Sequence, residues 1–201
     1  MVTLQESIDE KYGEKENEAE DFGFIVFVSS SPEAKAGMFP PLMTLNDYHI
    51  ERFGEFCDLS TKIRHVRELD LTDNLLADWS EIVNILSSFP SLTFLNLSNN
   101  LLNDKEGGGN LLTEHLDNVK SPMTKLVLNG NNVSWKTVVS LSDKMPNLEE
   151  LHLSTNNLNN PVDNQLSHDN LRQLYLSCNP ISDFATVSQN LCNSCPRYIV
   201  V

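Results

Sequence analysis

Cys192 and Cys195 stand three positions apart, the spacing of a redox dithiol or of half a zinc site. A structural zinc needs two more ligands, and a redox pair should open a helix after a strand. The sequence around this lone pair offers neither context. Cys57 and Cys178 are distant from it, and four scattered cysteines do not make a disulfide framework. His49, His65, His115, His152 and His168 are dispersed, with no His-Glu-x-x-His pair to hold a catalytic metal. The glycine run at 107–109 lacks the lysine and hydroxyl residue of a phosphate loop. A Ser-His-Asp triad needs proximity only in space, but the serines fall where a repeat already accounts for them. The residues therefore predict no enzyme, no bound cofactor and no metal.

The repeat decides what positions every other residue, because a fixed period changes the whole fold assignment. The frame L-x-x-L-x-L-x-x-N-x-L starts at Val66, Leu92, Met123, Leu148 and Leu171, with its asparagine at Asn74, Asn100, Asn131, Asn156 and Asn179. A degenerate earlier copy runs through Met43, Leu45 and Ile50, with Tyr48 where asparagine belongs. The asparagines lie 26, 31, 25 and 23 residues apart, and the stretched unit carries the insertion KEGGGN at 105–110. Side chains alternate along a strand, so Leu69 and Leu71 point inward together while Glu68, Asp70 and Thr72 point outward. The asparagine can then bond turn backbone groups that would otherwise be buried and unpaired.

After the turn, DWSEIVNIL (78–86), SWKTVVSLS (134–142) and DFATVSQNL (183–191) share a capping residue, an aromatic, and an apolar residue three positions later. Asp78, Ser134 and Asp183 are N-cap residues by type, and Asp78 with Glu81 has the capping-box spacing. Trp79 with Ile82, Trp135 with Val138, and Phe184 with Val187 form inward helical faces. The proline- and asparagine-rich NNPVDNQLSHDN (159–170) predicts a loop, while Pro90 and Pro146 stop helices before the next strand. The fold class is α/β: a leucine-rich-repeat solenoid with a parallel sheet on its concave face and helices or loops on its convex face.

Composition and charge agree with one repeat domain. The 201 residues are 40% hydrophobic, enough for a continuous core, and carry a formal charge of −14, which disfavours nucleic acid and anionic membrane as partners. No apolar run reaches the ~18 residues of a membrane span, and the acidic start is unlike a signal peptide, so a cytoplasmic monomer is expected. Residues 1–38 form an acidic segment in which Leu4, Ile8 and Tyr12 have helical spacing ahead of Gly13, and FGFIVFV (22–28) suits a strand covering the first repeat. The stretch ERFGEFCDLSTKI (51–63) is expected to be helix-rich. Residues 39–201 form the repeat domain, whose last repeat is incomplete, as in a fragment or shortened isoform.

What such a chain offers is a laddered surface. The outward central column reads Thr44, Asp70, Asn96, Val127, His152 and Tyr175. Glu68, Phe94, Lys125, Glu150 and Gln173 lie on one side, and Thr72, Ser98, Asn129, Ser154 and Ser177 on the other. Phe94 and Tyr175 are predicted to be exposed aromatics in a polar field, the type enriched at interfaces. A partner-binding face of Glu68, Asp70, Thr72, Phe94, Asn96, Lys125, Glu150, His152 and Tyr175 follows.

The segments LDLTDNLLADWSEIVNILSSFPSLTFLNLSNNLLN (69–103), KLVLNGNNVSWKTVVSL (125–141) and PNLEELHLSTNN (146–157) resemble the leucine-rich region of the tubulin cofactor E family. The similarity spans roughly residues 40 to 190 and includes the Asp/Ser-Trp helix starts and the order of long and short repeats. Cofactor E carries a CAP-Gly domain before its repeats, and none fits within these 38 acidic residues, so the E-like branch is preferred. Both branches continue to a C-terminal ubiquitin-like domain, which this chain does not reach. The resemblance implies a non-enzymatic chaperone cofactor that binds the αβ-tubulin heterodimer, affects its folding and stability, and destabilises microtubules in association with the cytoskeleton. It transfers no site residue. A general intracellular adaptor, or a phosphatase regulatory subunit using the same face for protein–protein interaction, is the alternative.

Overall fold

The computed structural model of the chain describes residues 1–13, 38–55, 61–103, 121–160, 168, 170–183 and, for the backbone alone, 198–200. The elements in chain order begin with β1 (Val2–Thr3), α1 (Leu4–Tyr12), β2 (Leu42–Thr44), β3 (Ile50–Arg52) and β4 (Glu68–Asp70). They continue with α2 (Trp79–Ser88), β5 (Phe94–Asn96), β6 (Lys125–Val127) and α3 (Trp135–Lys144). Strands β7 (Glu150–His152), β8 (Gln173–Tyr175) and β9 (Tyr198–Val200) complete the series.

Each frame contributes one strand, and the strands lie side by side in chain order, β2-β4-β5-β6-β7-β8-β9, every pair parallel. The register is the frame itself: Met43 faces Leu69, then Leu95, Leu126, Leu151 and Leu174. That column and the one two residues on, Leu45, Leu71, Leu97, Leu128, Leu153 and Leu176, are buried and form the core with Leu76, Leu102, Val133 and Leu158. A slip by one residue would bring Glu68 and Asp70 inside, so burial on one face pins the register.

The turns close by a repeated device. Asn74 accepts hydrogen bonds from the Tyr48 and Ile50 N–H groups at 3.1 and 2.9 Å and donates to Leu45 and Leu71 carbonyls at 2.8 and 2.9 Å. Asn156 does the same for Asn131 and Val133 N–H and Leu128 C=O, and Asn179 for Asn156 and Leu158 N–H and Leu153 C=O. Asn100 accepts from Leu76 N–H and donates to Leu71 C=O. At Asn131 the Nδ2 group donates to Leu97 C=O, but the buried Oδ1 has no partner among the described residues. This gap falls at the stretched 31-residue spacing, where Asn100 and Asn131 are furthest apart in sequence.

The residue before each ladder asparagine is left-handed: Asp73, Asn99, Gly130, Thr155 and Cys178 have φ between 55° and 69°. Asp, Asn and Gly tolerate that region, whereas Thr155, β-branched, carries strain of roughly 1–3 kcal/mol that the surrounding bonds must offset. At Gly130 an added Cβ would stand 2.4 Å from Asn99 Oδ1, so both the angle and the space call for glycine.

Helices α2 and α3 follow the two tryptophan-bearing turns. Trp79, Ile82, Trp135 and Val138 are buried as the helical spacing predicts, and both helices end ahead of Pro90 and Pro146. Asp78 caps α2 through Ser80 N–H at 2.9 Å, and Ser134 caps α3 through Thr137 N–H at 3.4 Å. The expected box between Asp78 and Glu81 does not form, because the Glu81 carboxylate instead accepts from Phe53 N–H at 2.7 Å and ties α2 to the preceding unit. A capping box does occur at Thr3 and Glu6, reciprocal at 2.8 and 3.1 Å, and starts α1. Those bonds from the Thr3 backbone and side chain hold the Glu6 carboxyl below its ordinary value.

The helix-rich expectation for 51–63 is corrected where the residues are described. Glu51 and Arg52 belong to β3, which pairs in parallel with β1, and 61–65 form turns. Ile50 is buried in the core while Gly54, at φ +93°, turns the chain beside Thr3 and Gln5, and neither position suits a helix. Leu4 and Ile8 of α1 are fully buried against this first unit. The expectations for 22–28, the insertion at 105–110, most of 159–170 and the helix after Asp183 lie outside the described residues.

Candidate functional site

Alternation along each strand puts every second side chain on the face opposite the leucines, so the site is built by the register. One column aligns Glu68, Phe94, Lys125, Glu150 and Gln173, and its neighbour aligns Thr44, Asp70, Asn96, Val127, His152 and Tyr175. Glu68 is exposed, Val127 is buried, and the other members of these two columns are half-buried.

At the β4 and β5 end the polar residues are committed locally. Asp70 Oδ1 accepts from the Thr72 hydroxyl at 2.6 Å and from Thr72 N–H at 3.0 Å, and Asn96 Oδ1 holds the Ser98 hydroxyl and N–H at 2.7 and 3.1 Å. From β5 to β8 the side chains join across strands. Lys125 Nζ lies 5.6 Å from the Phe94 ring centroid and 2.9 Å from Glu150 Oε1, which also bonds His152 Nε2 at 2.6 Å. The His152 ring stacks on Tyr175 with centroids 4.0 Å apart and planes 12° from parallel, and the Tyr175 hydroxyl donates to Gln173 Oε1 at 2.9 Å. Burial opposes ionisation of Glu150, but the hydrogen bonds from His152 and Lys125 outweigh it and hold the carboxyl below its ordinary value.

Phe94 and Tyr175 are thus not isolated exposed aromatics. Both are half-buried, one under a lysine and the other against an imidazole, because the neighbouring strands bring these partners within ring-contact distance. The nine sequence-predicted residues share this face, and Phe94, Lys125, Glu150, His152 and Tyr175 form one continuous contact series across it.

A depression of about 360 Å³ opens beside this series, lined by Glu68, Phe94, Lys125 and Glu150, and also by Thr93, Thr124 and Glu149. The last three were not predicted. They precede the strands, where the leucine frame specifies nothing, yet the Thr93 and Thr124 hydroxyls donate to the Arg67 and Thr93 carbonyls and so continue the interstrand bonding. A second depression, about 390 Å³, lies along the turns at Trp135, whose Nε1 donates to Asn159 C=O at 2.7 Å. Among the described residues no group of three or more His, Cys, Asp or Glu side chains could hold a metal, and no helix is long and apolar enough to cross a membrane. Cys192 and Cys195 lie outside them. What the face can do chemically is present fixed aromatic and charged groups to another surface.

No protein-family model matches the chain. It is 34% identical over 148 residues to the tubulin-specific chaperone cofactor E-like protein of Homo sapiens, covering 74% of this chain and 34% of that protein. Against the protein of the same name from Caenorhabditis elegans it is 33% identical over 163 residues, 80% of this chain and 36% of the relative. Against tubulin-folding cofactor E of Arabidopsis thaliana it is 35% identical over 142 residues, 69% and 25% respectively. The chain therefore spans about a third or less of the length of these relatives. Over most of its own length, the chain is a homologue of the cofactor E-like and cofactor E tubulin chaperones.

Proposed function

We propose that the chain is the leucine-rich-repeat portion of a tubulin cofactor of the E-like type, a solenoid whose sheet forms the concave face. It binds tubulin there as a non-enzymatic chaperone cofactor in the cytoplasm. The observation that carries this reading is the similarity to proteins named for tubulin chaperoning, over 74% of this chain in the human case. The face supplies a means: Phe94, Lys125, Glu150, His152 and Tyr175 are held by one another, so little side-chain entropy remains to be lost on binding. The partner is the αβ heterodimer, and engagement of it is the step from which microtubule destabilisation follows.

Sedimentation of purified αβ-tubulin with an excess of the chain tests the reading. A faster-sedimenting complex, or a cross-link to either subunit, is expected. Tubulin that sediments and cross-links as it does alone would end the proposal. Tyr175→Ala removes the ring stacked on His152 and is expected to weaken the complex about tenfold, the scale of an aromatic anchor in an interface. Its melting temperature should fall far less than that of a variant truncated in the leucine columns.

A further inference from the structure

One edge of the seven-stranded sheet is β2. Its inward-paired residues are committed to β4, as where Leu45 N–H donates to Asp70 C=O at 2.7 Å. Hydrogen bonding alternates along a strand, so the N–H and C=O of Thr44 point to the opposite, outer edge. A sheet edge with free groups invites another strand. Here two side chains from the end of α1 occupy them. The Tyr12 hydroxyl, at once donor and acceptor, accepts from Thr44 N–H at 2.9 Å and donates to Thr44 C=O at 3.2 Å. Lys11 Nζ donates to the same carbonyl at 2.7 Å while lying 5.7 and 5.3 Å from the Tyr12 and Tyr48 ring centroids. The start of α1 is anchored by the Thr3 and Glu6 box and by buried Leu4 and Ile8, so these two residues are delivered to the edge at a set distance.

We propose that the outer edge of β2 is a latent pairing surface for a second copy of this chain, and that Tyr12 with Lys11 holds it closed. The occupant is a second copy because the exposed edge is self-complementary. About a two-fold axis, Thr44 of each copy can donate its N–H to the other's C=O, the reciprocal bonding of an antiparallel pair. Leu42, two residues away and 51% exposed, adds an apolar contact to that pairing. In the closed state the tyrosine hydroxyl satisfies both groups at once, and the lysine places a charge where the second strand would lie.

Sedimentation velocity of the purified chain across about a hundredfold range of concentration tests the pairing, by the mass action that governs dimers. The parent chain should keep one sedimentation coefficient. The double variant Lys11→Met/Tyr12→Phe retains the ring and should approach twice the monomer mass as concentration rises. Adding Thr44→Pro, which removes the outer N–H at an edge position that tolerates proline, should return it to monomer. A double variant as monomeric as its parent throughout, or a dimer indifferent to Thr44→Pro, overturns the proposal. Should the double variant fail to fold, amide exchange in Tyr12→Phe alone decides. The Thr44 amide is expected to exchange at least about tenfold faster with the inner Leu45 amide unchanged, as local opening at an edge requires. An unchanged Thr44 rate would show that Tyr12 does not close the edge.

Discussion

Replacing Asn74 with leucine is expected to lower stability by about 3 to 5 kcal/mol. Two backbone donors, Tyr48 N–H and Ile50 N–H, lose their acceptor, and the Leu45 and Leu71 carbonyls lose a donor, in a place where Asn74 is only 2% exposed. Each buried group left unpaired costs roughly 1 to 3 kcal/mol, and partial access of water to the Tyr48 end keeps the sum below the full total. Urea unfolding of both chains measures this as a drop in midpoint at constant slope. A loss under about 1 kcal/mol would mean that the turn amides find other partners and that the ladder is not what closes the turn.

Leu97→Ala is expected to cost about 2 to 5 kcal/mol, as a truncation in a packed core leaves a cavity. Leu97 is fully inaccessible in the second inner column, whereas Phe94, three residues earlier, sits half-buried on the other face. Phe94→Ala should therefore cost distinctly less in the same unfolding experiment, because water can fill the vacated space. Equal losses for the two would place both side chains in the core and contradict the alternation.

The inward columns were legible because a period of two within a frame of fixed length leaves no freedom about which residues meet. The same logic placed Asp70 beside Asn96 and Lys125 beside Glu150. Contacts that depend on two units at once were not legible. Glu81 has the spacing to cap its own helix, but Phe53 N–H, 28 residues away, is the donor that it meets. Phe94 and Tyr175 looked isolated because their partners, Lys125 and His152, are neighbours only through the sheet. At the turns, Asp73, Asn99 and Gly130 are residue types that announce a left-handed backbone, whereas Thr155 and Cys178 adopt it against their own preference. The box at Thr3 and Glu6 was readable from its spacing. What it anchors was not, since the docking of α1 on β3 and β2 is tertiary.

The bare Oδ1 of Asn131 has a mechanical consequence. In a stack whose members bond chiefly to the next in line, rupture starts at the weakest bond line, as in a laminate. Between β6 and β7, and between β7 and β8, the asparagine of one unit staples two N–H groups and one carbonyl of its neighbour, while between β5 and β6 it grips the Leu97 carbonyl alone. The chain is thereby divided into two slabs, β2 through β5 and β6 through β9, joined along a seam. Native-state exchange in mild urea should show the slabs parting at that seam before either delaminates internally, and a single common opening free energy across all strands would show the seam to be as strong as the rest.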